Sequence, residues 1–140
     1  MLVRLLYASR AVDNSSDAIA SILAHSRQYN PTCGITGILC YGGGVFLQAI
    51  EGGRMAVSEL YGHIQKDPRH KDVVLLDYEE ISERRFGGWT MGTVNLLKLN
   101  QSILLKYSEK AELDPYAASG KVSLALLEEL MATASIIGRA

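Results

Sequence analysis

Apolar and polar positions along the chain follow two different periods, and these divide it into segments. Residues 2–9 alternate, with Val3, Leu5 and Tyr7 on one face, because side chains of a strand repeat every two residues. Asp13-Asn14-Ser15-Ser16 then supplies helix N-cap residues, and Ala18, Ile19, Ile22 and Leu23 follow at helical spacing. Asn30-Pro31 is expected to end this helix, since a residue preceding proline avoids the α region. Residues 35–41 and 45–51 read as two strands joined at Gly42-Gly43-Gly44, where positive φ costs little. On the second of them Phe46, Gln48 and Ile50 share a face. A second helix is expected from about Arg54, with Val57, Leu60, Tyr61 and Ile64 at i, i+3, i+4, i+7, ending at Asp67-Pro68. Residues 72–81 and 88–94 read as two more strands, the latter with Trp89, Met91 and Thr93 on one face.

The order β-α-β-β-α-β plus one extra strand predicts an α+β fold. It is the ferredoxin-like split βαβ arrangement, a single sheet with an extra fifth strand and two helices on one face. After residue 94 the pattern changes. Leu96, Leu99, Ile103 and Tyr107 mark one amphipathic helix, and Leu127, Leu130, Met131, Ala134 and Ile137 mark another. Asp114-Pro115 and Ser119-Gly120 bracket a loop between them. Residues 95–140 read as a C-terminal helical extension packed on a domain of residues 1–94, because about 45 residues rarely hold a core alone.

Composition narrows the function classes. A chain of 140 residues, 48 % hydrophobic, fits one domain with a real core. A net charge of −1 gives no reason to expect nucleic acid or an anionic membrane as partner. Cys33 and Cys40 form no C-x-x-C pair and have no metal-ligand spacing, so both read as reduced, buried thiols. The apolar run at residues 2–7 is too short for a signal sequence, and no stretch approaches the about 20 apolar residues of a membrane span. A soluble, cytoplasmic chain is expected.

Gln48 is the most unusual residue in the sheet. A mid-strand amide on a buried face must find partners or cost on the order of 1–3 kcal/mol. By itself it reads equally as a core glutamine satisfied by backbone. Tyr7 by itself reads as a core tyrosine. A ferredoxin-like sheet can set the first and third strands side by side, which would join the two into one polar pair in an apolar layer. Asn30, before proline, and Arg69-His70, in the turn after the second helix, are further candidates; the plainer readings are a helix-terminal asparagine and a solvated loop. His25 and His63 read as surface or satisfied histidines, and Glu79, Glu80 and Glu83 as a solvated strand end. No phosphate loop, no G-x-G-x-x-G and no G-x-S-x-G nucleophile turn occurs.

Five segments together resemble the BLUF family, the sensors of blue light using flavin. Leu5-Leu6-Tyr7-Ala8-Ser9 looks like its first strand, and Asn30 followed by Gly34-Ile35-Thr36-Gly37 resembles its Asn and G-I-T-G element. Phe46-Leu47-Gln48-Ala49-Ile50-Glu51-Gly52 is similar to its F-x-Q-x-x-E-G strand, Asp67-Pro68-Arg69-His70 to its flavin-covering loop, and Phe86 to Met91 to F-x-x-W-x-M. The resemblance spans about residues 2–94. It implies a noncovalent flavin, FAD or alternatively FMN, between the two helices and the sheet. Tyr7 would donate an electron to the excited flavin, and Gln48 would bridge tyrosine and flavin and rearrange its hydrogen bonds. Asn30, Ile22, Arg69 and His70 would contact the cofactor, and Ser9, Trp89 and Met91 would relay the change. At Tyr29 the chain departs from the many members that carry a further asparagine, which implies one polar contact fewer near the ribityl or phosphate part of the flavin. With no effector domain in view, the expected partners are an unidentified downstream protein and a second copy of the chain, and no enzymatic activity is expected. Two rival readings are an acylphosphatase-like hydrolase, with Arg10 after the first strand, and a cofactor-free interaction module.

Overall fold

A computed structural model describes residues 1–133 and the backbone of residues 137–139. β1 (Leu2–Ala11) leads to α1 (Ser16–Cys33), β2 (Thr36–Gly42), β3 (Val45–Gly53), α2 (Arg54–Lys66), β4 (His70–Ile81) and β5 (Trp89–Asn95). A 3₁₀ turn at Leu96–Lys98, α3 (Gln101–Tyr107), α4 (Gly120–Ala132) and a short β6 (Ile137–Arg139) complete it. The strands stand in the order β4-β1-β3-β2-β5-β6. β1 lies antiparallel to both β3 and β4, and β5 joins the outer side of β2 in parallel. This is the expected ferredoxin-like order with its extra strand.

The two faces of the sheet hold separate cores. Val3, Leu5, Tyr7, Leu39, Phe46, Ile50 and Met91 pack against Ile22 and Leu23 of α1 and Val57 and Leu60 of α2. The opposite-facing Leu6, Ile38, Cys40, Leu47, Ala49 and Val94 pack against Leu104 of α3 and Leu126, Leu127 and Leu130 of α4. Period-2 alternation thus sends neighbouring residues of one strand into different cores. Cys40 is buried, whereas Cys33 at the end of α1 is only half-buried.

Local chemistry explains the boundaries. The Ser15 hydroxyl accepts from the Ala18 N–H at 3.1 Å and caps α1. Gly43 (φ 59°) and Gly44 (φ 79°) form the two-residue turn between β2 and β3, in which both central residues need positive φ. Contrary to expectation, α1 does not end before Pro31 but runs on to Cys33, and Gly34 stops it at φ 68°. Ile35 N–H donates to the Asn30 carbonyl at 2.9 Å, and the Thr32 hydroxyl to the Tyr29 carbonyl at 2.6 Å. A proline in the last turn forfeits one helix bond, and tertiary contacts of the buried Asn30 outweigh the local preference.

The C-terminal part also differs from its pattern. The helix expected over residues 96–107 breaks at Leu99-Asn100, because Asn95 caps the 3₁₀ turn and Asn100 caps α3. α4 ends at Ala132, so Leu127, Leu130 and Met131 lie on it, Ala134 falls outside the described residues, and Ile137 lies on β6. Among the described residues no helix is long and apolar enough to cross a membrane.

Candidate functional site

The β1–β3 register places Tyr7 directly opposite Gln48. Both are buried, at 1 % and 5 % exposure. The Tyr7 hydroxyl donates to Gln48 Oε1, and Gln48 Nε2 donates to Met91 Sδ on β5 at 3.2 Å. A three-residue polar chain therefore crosses β1, β3 and β5 within an apolar layer. Burial pushes the Tyr7 phenol well above its ordinary range, so it stays protonated.

α1 brings Asn30 to the same region. Its Nδ2 donates to the Thr90 carbonyl at 3.2 Å, while its Oδ1 is buried with no hydrogen-bond partner among the described residues. A buried amide oxygen left in this state is costly unless a donor reaches it. On the far side, the turn after α2 holds Asp67, Arg69 and His70. Asp67 accepts from the Arg69 guanidinium at 2.7 to 3.1 Å, and this bond holds its carboxyl below the usual range. The Ser9 hydroxyl and His70 Nδ1 are 2.9 Å apart, and the His70 ring lies 5.2 Å from that of Phe46.

Tyr7, Asn30, Gln48, Asp67, Arg69 and His70 line a cleft between α1, α2 and the sheet, together with Ile22, His25, Leu39, Leu60, His63 and Ile64. The cleft is narrow, with an open volume of about 50 Å³. The donor set suits a flavin. Its imide edge offers an N–H for Asn30 Oδ1 and acceptors for an amide N–H, its ring faces match Ile22, Leu60 and Ile64, and Arg69 supplies positive charge at the mouth.

The structure thus draws Tyr7, Ser9, Ile22, Asn30, Gln48, Arg69, His70 and Met91 around one cleft. It does not put Trp89 there. Trp89 packs against the opposite core and not on the Met91 face. The reason is a register shift between Trp89 and Thr93 on the β5–β6 ladder, which breaks the period-2 alternation between Trp89 and Met91. His25 and His63 flank Tyr29 on the cleft wall, at ring distances of 6.0 and 6.5 Å. Sequence reasoning passed over two residues. Asp67 orients Arg69, and its signal was an Asx residue two positions before the residue it holds. Glu51 is fully buried and accepts from Arg4 Nε at 2.8 Å and from the backbone N–H groups of Arg85 and Phe86 at 3.1 and 2.6 Å. Only its place on a buried strand hinted at this.

Burial holds His70 below the ordinary histidine value of 6.5, with the Arg69 charge adding to the effect and Asp67 opposing it. Below 6.5 the unfolded chain takes up a proton that the folded chain resists, so His70 stability is present above that value and is lost as pH falls toward the folded value. We expect the urea midpoint to rise from about pH 5 to pH 7, and less steeply in His70→Gln. Equal slopes in both proteins would remove His70 from this role.

Comparison with known proteins places this geometry. Residues 2–92 match the profile of the family described as BLUF, sensors of blue-light using FAD. The chain is 41 % identical over 87 residues to the photoactivated adenylate cyclase subunit alpha of Euglena gracilis, covering 61 % of this chain and 8 % of that protein. Two solved structures superimpose along most of their length. The BlsA photo-activated state has a TM-score of 0.82 at 31 % identity, covering 94 % of this chain and 95 % of that one. The BlrB dark state, titled a BLUF protein, has a TM-score of 0.79 at 36 % identity, covering 95 % and 96 %. With its profile match, its sheet order and its fold all in agreement, the chain belongs to the BLUF family of blue-light sensors.

Proposed function

We propose that this chain is a blue-light photoreceptor that binds FAD, or alternatively FMN, without a covalent bond, and that Tyr7 and Gln48 are its photochemical pair. The observation that carries the reading is the buried Tyr7–Gln48–Met91 chain beside the unpartnered Asn30 Oδ1. Bound in the cleft, the flavin supplies blue-light absorption and a one-electron acceptor. Tyr7 is the donor. Its phenol cannot ionise in the buried layer, so its proton moves along the existing bond to Gln48 Oε1 as the electron leaves.

Gln48 then converts a transient charge into a lasting hydrogen-bond change. An amide has one acceptor end and one donor end. Exchanging the two turns the donor end toward Tyr7 and the acceptor end toward Met91. A thioether has no proton to give, so Met91 loses its bond, and β5 registers the event. Asp67 aims Arg69 at the cleft mouth, and Ser9 fixes His70. The chain acts by contact with a partner protein or a second copy, and not as a catalyst.

The test is absorption spectroscopy. The protein reconstituted with flavin should show a reversible red shift of the flavin band under blue light and release free flavin on heat denaturation. A reconstituted protein without that shift overturns the proposal. Asn30→Ala should weaken flavin binding by on the order of tenfold, the worth of about one hydrogen bond to a buried partner, by equilibrium titration. Unchanged affinity would take Asn30 out of the site.

The output route runs through residues 95–140. β5 carries Met91 and leads within a few residues to the 3₁₀ turn and α3, which with α4 cover the second face of the sheet. Light should therefore raise amide exchange in 95–140 more than in 15–28, because local stability varies across a fold and these elements follow β5 directly. Changes confined to the cleft would reject this route.

A further inference from the structure

We propose that Tyr61, packed against Tyr7, is a second redox residue, the port through which a small soluble one-electron donor such as ascorbate refills Tyr7 under sustained light. The inference rests on the reading of Tyr7 as the primary donor. It starts from one contact: the Tyr61 ring on α2 lies 5.7 Å from the Tyr7 ring, tilted by 51°. Tyr7 is 1 % exposed and Gln48 5 %, and both line the cleft that the flavin would fill, so a reductant in solution has little direct access to either. Tyr61 is only half-buried and packs on the same core as Tyr7. One phenol ring is thus sealed in the core, and the ring beside it reaches the surface.

The proton decides which way the oxidising equivalent travels. Once Tyr7 has given up an electron under light, its phenol proton would stay close by, on Gln48, and the charge would readily return. In a minority of cycles Tyr61 passes an electron to the Tyr7 phenoxyl radical, and Tyr7 recovers its proton from Gln48. Tyr61 releases its own proton to water, which dilutes it and prevents simple reversal. Ascorbate then gives the Tyr61 phenoxyl radical one electron and one proton. In the net reaction one electron leaves ascorbate and stays on the flavin, one proton is released to water, and both tyrosines are restored. The consequence is a slow light-driven oxidation of the reductant alongside the reversible signalling cycle.

The experiment uses the flavin-loaded full chain without oxygen, under steady blue light with ascorbate, and follows the loss of oxidised-flavin absorbance. In Tyr61→Phe this loss should fall to the rate of the ascorbate-free control, while the reversible red shift persists. Tyr29→Phe, at a half-buried tyrosine of α1 that packs on the same core, should bleach as fast as the parent. As an independent readout, a nitroso spin trap added in place of ascorbate should label Tyr61 in the parent, as mapped by peptide mass spectrometry. Bleaching of Tyr61→Phe at the parent rate, or trap adducts on another residue, overturns the port. A red shift that survives in Tyr7→Phe would instead overturn the reading of Tyr7, so the two failures are separable.

Discussion

Tyr7→Phe is expected to fold and to keep its flavin, yet to lose the red-shifted lit state altogether. Phenylalanine fills nearly the same volume in the α1–α2 core, so packing with Leu5, Leu39 and Ile50 survives. What disappears is the hydroxyl, and with it both the accessible electron and the proton bound to Gln48 Oε1. Gln48 Oε1 is left buried without its donor, which costs about 1–3 kcal/mol of stability. The photochemical loss is complete because, among the described residues, only Tyr7 bonds the amide oxygen. Gln48→Leu should reach the same spectroscopic result from the other side, since it nearly keeps the volume and removes the reversible amide. A light-minus-dark difference spectrum decides both. A normal-amplitude shift in Tyr7→Phe would remove Tyr7 from the chemistry.

Glu51→Ala is expected to cause the largest loss of stability. Glu51 is 0 % and Arg4 3 % exposed, and the pair sits between β3 and β1 with the loop before β5 closed over it. The carboxylate gathers three donors: the Arg4 guanidinium and the N–H groups of Arg85 and Phe86. Removing it strands a buried guanidinium, whose remaining carboxylate, Glu79, stands 3.4 Å away and is exposed. It also strands two backbone donors. Deleting one partner of a buried pair costs about 3–5 kcal/mol, far more than the pair adds over an apolar replacement. Urea denaturation should show a midpoint lower by about 2 M. Glu51→Gln should lose less, because an amide oxygen still accepts one backbone N–H. An unchanged midpoint in Glu51→Ala would mean that the loop is held by Phe86 packing alone. The clamp also bears on function, since it fixes the start of the strand that carries Met91. Exposed pairs such as Arg54 with Glu80 and Lys106 with Glu129 contribute far less, being screened by water.

The chain's own pattern determined its two periodicities, and with them most of the elements. Alternation at Val3, Leu5 and Tyr7 and the stripe at Val57, Leu60, Tyr61 and Ile64 need no partner to be legible, because each follows from the geometry of one element. The adjacent positive-φ residues of the β2–β3 turn were legible for the same reason. Once the element order was known, so was the neighbourhood of Tyr7 and Gln48, since the split βαβ order sets β1 beside β3. Other features were decided only in three dimensions. Pro31 stays inside α1 because Asn30 is anchored to β5, 60 positions away in the chain. Trp89 packs with the second core because a register shift on the β5–β6 ladder interrupts the alternation between it and Met91. Glu51 reads as one more polar residue on a strand until Arg4 and the loop at 85–86 close around it. The helix expected over 96–107 yields to two asparagine caps whose choice between cap and helix interior depends on where the sheet ends. Local periods fix how a segment folds, but the partners of a buried polar atom are set by residues that only the folded chain brings near, and those partners decide what that atom can do.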